Sequence, residues 1–139
     1  HLGSYLPFGL QMESAAMTPS GELYFRGENY VDDFSTASNR HQHLFIHEMT
    51  HVWQYQNGMW VKLRGSMSWA ADYHYNFEGK TRVNEYSMEQ QASIVADYFF
   101  LVNFGESEWY KNQYRNYKGD KLDSALSYYK LILTNFPTY

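Results

Sequence analysis

Two long amphipathic segments organise the chain. The first runs from about Asn39 to Gln56, after the N-cap oxygens offered by Ser35, Thr36 and Ser38, and stops at Asn57-Gly58. Three- and four-residue spacing puts Leu44, His47, His51 and Tyr55 on one face of this helix. Phe45, Met49 and Val52 form a neighbouring apolar row, the expected contact with a core. The second predicted helix runs from about Ser87 to Asn103, with Ser87 as N-cap, Gln90 completing a capping box, and Phe104-Gly105 as the stop. Its apolar stripe reads Met88, Ala92, Val95, Phe99, Val102. Two more helices are expected near Ser107–Tyr117 and Lys121–Leu133, the last capped by Asp120 and followed by Pro137. Upstream, Thr18-Pro19-Ser20-Gly21 reads as a turn, and Glu22-Leu23-Tyr24-Phe25-Arg26 as a short strand. Residues 59–83 are irregular and aromatic, compatible with one short helix or two short strands. The expected fold class is mainly α with a small β component (α+β).

Length and composition narrow the possibilities. A chain of 139 residues suits one domain over 1–139, large enough to bury a core. With 44% hydrophobic and 19% charged residues it is globular rather than disordered. A net charge of −4 without a basic stripe gives no footprint for nucleic acid. The absence of cysteine excludes disulfides and thiolate metal ligands. No apolar run reaches membrane-spanning length, and no signal peptide is visible. Because the chain opens at His1 rather than Met, an excised domain of a larger protein is expected. Aromatics reach 19%, with 14 tyrosines, which suits a substrate cleft, an interface or simply a tyrosine-rich surface.

The chemistry sits in His47-Glu48-Met49-Thr50-His51. Residues four apart on a helix stand over one another, so both imidazoles can reach one ion. Zinc accepts His nitrogens, and a catalytic site keeps a position open for water. Glu48, beside the first ligand, suits a general base rather than a third ligand. The plain alternative is an amphipathic helix that happens to carry two histidines. His41 and His43 point different ways on a helix and read as surface residues. His74 could contact substrate or lie on the surface.

A three-ligand site needs one more side chain. Position 57 is Asn, which disfavours the metzincin pattern with its third His. An acidic residue on a later helix would complete a two-His, one-Glu set, with Asp72, Glu78, Glu85, Glu89 and Asp97 as candidates. Glu89 leads, in the first turn of the second helix, with Ala92 small enough to allow close approach. Glu85 lies just outside the helix. Asp97, two turns beyond Glu89, could orient a ligating histidine.

The run Tyr86-Ser87-Met88-Glu89-Gln90-Gln91-Ala92-Ser93-Ile94-Val95-Ala96-Asp97-Tyr98-Phe99 resembles a segment of zincin-like domains in Rhs- and VgrG-associated bacterial proteins. The segment His43 to Gln54 resembles the metal helix of the same group. The likeness is strongest to the C-terminal metallopeptidase domain of VgrG spike proteins of type VI secretion, over roughly residues 22–104. It implies a gluzincin-type arrangement, with Glu89 as third zinc ligand and Glu48 as base. It also implies an antibacterial toxin, secreted with or docked on a VgrG/Rhs spike, delivered to the target periplasm and countered by an immunity protein.

The expected mechanism is zinc-dependent hydrolysis of a peptide or protein substrate. Zinc sits on His47, His51 and Glu89, Glu48 moves the proton, and a tyrosine or His74 supports the oxyanion. An extended peptide could lie along Leu23-Tyr24-Phe25 by strand addition, although an ordinary sheet strand explains that segment equally well. Two other readings remain open: a zincin-shaped binding module without catalysis, and an amidase acting on cell-wall peptides.

Overall fold

The structure is a computed structural model and describes residues 16–17, 24–25, 32–59 and 72–137. The chain divides into two compact units, His1–Ala71 and Asp72–Tyr139. The fold is mainly helical. Its described β structure is a two-residue antiparallel pair, β1 (Ala16–Met17) and β2 (Tyr24–Phe25), with Ala16 opposite Phe25 and Met17 opposite Tyr24, plus an isolated bridge between Tyr75 and Tyr117. The turn at 18–21, the ends of the predicted strand and residues 60–71 of the aromatic stretch lie outside the described residues.

In the first unit, helix α1 spans Asn39–Gln56, as its pattern predicts. Of the candidate caps, Ser38 does the work, its side chain accepting from His41 N–H. Asp33 instead caps the short 3-10 turn Phe34–Thr36 through the Ser35 N–H. Gly58, at φ +81°, ends the helix where a side chain would be strained.

The packing of α1 departs from expectation. Phe45 and Val52 are only half-buried and Met49 is 39% exposed, so the apolar row is not its core contact. The buried residues are His43, His47, Glu48, Thr50, His51 and Gln54, all polar. His43, His47 and Thr50/His51 are linked by three- and four-residue steps that end at Gln54, so they line one continuous strip. Tyr55 is carried a further ~40° round from His51 and is exposed.

The second unit is built on helix α2 (Met88–Phe104). Ser87 Oγ accepts from Gln90 N–H at 3.2 Å, and Gln90 Oε1 accepts from Ser87 N–H at 3.0 Å, closing the predicted capping box. The predicted apolar stripe is displaced. Of its five residues Ala92 is buried, Met88, Val95 and Phe99 are half-buried and Val102 is 56% exposed, whereas Glu89, Ser93, Ala96, Asp97 and Phe100 are buried. Polar side chains occupy the core face because each has a partner there. Ser93 Oγ accepts from Asn116 Nδ2, Gln91 Nε2 donates to Tyr86 O, and Asp97 Oδ2 accepts from Tyr75 Oη and Asn116 N–H.

After Gly105 come α3 (Glu106–Lys111) and α4 (Ala125–Ile132), both shorter than their predicted spans. Ser124, not Asp120, caps α4. The intervening chain is drawn away from helix by a long-range pairing. Tyr75 N–H donates to Asn116 O and Lys118 N–H to Tyr75 O, which holds 116–118 extended. Tyr117 then folds back to donate its hydroxyl to Asp120 O at 2.6 Å.

Tyrosine supplies much of this unit's core. Tyr75, Tyr86, Tyr117 and Tyr129 are buried with Phe77, Ile94 and Trp109. Trp109 meets Tyr129 edge-on, with centroids 5.9 Å apart, and the Arg115 guanidinium lies 4.5 Å over the indole. Such ring pairs contribute roughly 0.5–1.5 kcal/mol each beyond area burial.

Candidate metal centre

His47 and His51 lie one helical turn apart on α1, both buried, with ring centroids 4.9 Å apart and planes at 82°. The four-residue step puts both rings on one face of the helix. Next to them, His51 Nδ1 lies 2.6 Å from Oε1 of Gln54, which is fully buried. Glu48 is also buried.

One nitrogen from each histidine and a carboxylate oxygen of Glu89 lie within 4.8 Å of one another, and all three residues are buried. Two imidazoles and a carboxylate form a set of borderline and hard donors that suits zinc, and a three-donor set leaves a coordination position for water. The donor chemistry therefore fits the expected ion.

The rival acidic residues are placed otherwise. Asp72 and Glu78 are exposed. Glu85 is exposed, and its Oε2 accepts from the N–H groups of Thr81 and Arg82 at 2.8 Å each, which holds its carboxyl below the usual carboxylate range. Asp97 is buried, with Oδ2 held by Tyr75 and Asn116.

Among the histidines, His41 is half-buried beside its cap, Nδ1 lying 2.7 Å from Ser38 Oγ. His43 is buried, contrary to the surface role expected of it. The signal was present in the sequence: His43 precedes His47 by the same four residues that separate His47 from His51. His74 is exposed beside Asp72, with Nδ1 3.4 Å from its Oδ1. Its backbone is tied to the helix of Glu89, since Gln90 Nε2 donates to His74 O at 2.8 Å.

The second unit also holds a buried polar chain. Tyr75 Oη donates to Asp97 Oδ2 at 2.7 Å and makes a short contact with Tyr129 Oη. Burial, then the Asp97 charge, pushes both phenols well above their ordinary pKa. Burial, then the charge of Glu85, pushes Tyr86 up to about 12. Among the described residues, no helix is long and apolar enough to cross a membrane.

The molecule is thus an α-rich protein carrying a His-His-Glu group of possible metal ligands. No protein-family model matches the chain. It is 39% identical over 142 residues to the type VI secretion system spike protein VgrG2b of Pseudomonas aeruginosa, covering 96% of this chain but only 12% of that protein's length. The solved effector domain of Pseudomonas aeruginosa VgrG2b superposes with a TM-score of 0.63 at 38% identity, covering 85% of this chain and 70% of that one. The chain belongs to the family of the VgrG2b effector domain.

Proposed function

We propose that this chain is a single zincin-like, gluzincin-type domain that hydrolyses peptide bonds with zinc. The observation that carries the reading is the closeness of ligand atoms from His47, His51 and Glu89, within 4.8 Å, in a family of type VI effector domains. His47, His51 and Glu89 would hold the ion. When bound, zinc supplies Lewis acidity, polarising a carbonyl and lowering the pKa of water toward ~7.

The remaining roles fall to the chain itself. Glu48, buried beside the first ligand, takes the proton of the attacking water and returns it to the leaving amine. A hydroxyl or imidazole donor, from a tyrosine or His74, stabilises the oxyanion. A purely structural metal site has no need of a buried carboxylate next to a ligand, so Glu48 favours hydrolysis over a binding module.

The biological setting extends this reading. Membership of the effector-domain family supports secretion on, or fused to, a VgrG/Rhs spike. We propose delivery to the periplasm of a rival bacterium, a peptide or protein substrate there, and an immunity protein in the producing cell. Glu48→Gln separates enzyme from binding module. The variant is expected to fold and keep its zinc while hydrolysis falls by about 10²–10⁴-fold. Retained hydrolysis in a zinc-loaded Glu48→Gln protein refutes the role of Glu48. Loss of zinc shows that the carboxylate supports the ion instead.

A further inference from the structure

We propose that Gln54 is a positioning residue that fixes the tautomer of His51 and thereby prepares it as a metal ligand. Three observations on one helix carry this. Gln54 is fully buried, His51 is 4% exposed, and the Gln54 Oε1 to His51 Nδ1 distance is 2.6 Å. An amide oxygen can only accept, so Nδ1 must carry the proton and donate it. The lone pair of His51 then resides on Nε2, the nitrogen left to face an ion.

The arrangement follows from the helix. Gln54 lies three residues after His51, which brings the two side chains onto one face, and its Cβ is tilted back toward the N-terminus and so toward the ring. A flexible amide exposed to water would fix nothing, because water competes for both partners. A buried one holds the ring's rotation as well as its proton. Burial adds a penalty for the wrong state: with Nδ1 unprotonated, two acceptors would face each other away from solvent, a loss of the bond plus desolvation. In water the histidine side chain favours the opposite tautomer, with the proton on Nε2, which leaves that nitrogen without a lone pair for a cation. Gln54 reverses that preference before any ion arrives. Partners of this kind typically alter metal affinity by 10–100-fold.

This inference rests on the proposed zinc site, but it has a readout of its own. In the wild-type protein stripped of metal, ¹⁵N–¹H NMR of the His51 ring is expected to show the proton on Nδ1. Gln54→Leu, of similar size but without an acceptor, should shift His51 toward the Nε2–H form and weaken zinc binding about 10–100-fold. Gln54→Glu keeps the acceptor and should restore both the tautomer and tight binding. Each affinity is read by competition with a zinc chelator. A wild-type His51 protonated on Nε2 overturns the proposal, as does a folded Gln54→Leu protein with unchanged tautomer and affinity. If Gln54→Leu does not fold, the wild-type tautomer and the Gln54→Glu rescue still decide it. A wild-type protein that binds no zinc yet shows the Nδ1–H tautomer would sink the metal reading and leave the Gln54 contact standing.

Discussion

Raising the pH above 10 should unfold the second unit's core from within, through Tyr75 and Tyr129. Both phenols are buried, at 4% and 0% exposure, and both are held neutral by burial and by the neighbouring Asp97 charge. Their folded pKa values are raised, so the stability they contribute is fully present below the unfolded value near 10. It is lost as pH rises from there toward the folded values, because only the unfolded chain releases the protons. Each phenol that stays neutral in the fold and ionises in the unfolded chain then removes about 1.4 kcal/mol by pH 11. Two of them remove about 3 kcal/mol, a large share of a typical 5–15 kcal/mol total.

The assay is urea denaturation followed by circular dichroism at pH 9, 10 and 11, with chelator present throughout so that metal binding does not vary. Tyr129→Phe lowers stability at pH 9, since Tyr75 Oη loses one partner, by about 1–3 kcal/mol. It should also flatten the alkaline slope, recovering about 1.4 kcal/mol of the loss between pH 9 and 11. An alkaline slope identical in wild type and Tyr129→Phe would refute the claim that this phenol is held neutral. The matter bears on function, because the same network anchors Tyr75, next to His74, to the helix that carries Glu89.

Two further outcomes follow from the site. Glu89→Ala should abolish stoichiometric zinc binding, whereas Glu85→Ala should keep it and lose only the cap its carboxylate makes to the Thr81 and Arg82 N–H groups, read by metal analysis and thermal unfolding. Expression should arrest growth when the chain is exported to the periplasm and not when it stays in the cytoplasm; equal toxicity from both compartments would count against periplasmic action.

Local signals were the legible ones. Ser38, Ser87, Gln90, Gly58 and Gly105 mark helix ends through bonds made within a few residues, and both long helices lie where those residues put them. The pairing of His47 with His51 was legible for the same reason, as a four-residue step on one helix. Burial was not. Hydropathy assigns Gln54, Ser93 and Asp97 to the surface, yet each is fully buried. Ser93 and Asp97 are held there by partners 19 to 23 residues away in sequence, and Gln54 by the His51 ring three residues before it. The shortened third and fourth helices have a similar origin. The pattern over 112–117 and 121–124 suits helix, but Tyr75 recruits 116–118 from about forty residues away into an extended bridge. No local propensity encodes that competition.

The central claim is a zinc ion held by two residues of α1 and one of α2. Diffraction from crystals of the zinc-loaded protein, recorded on both sides of the zinc absorption edge, tests it most directly. The account predicts one anomalous peak per chain, with nitrogens of His47 and His51 at about 2.0–2.1 Å and a Glu89 oxygen at about 2.0–2.2 Å. A peak bound by Asp72, Glu78, Glu85 or Asp97 in place of Glu89, or no peak on the α1 histidines, would contradict it.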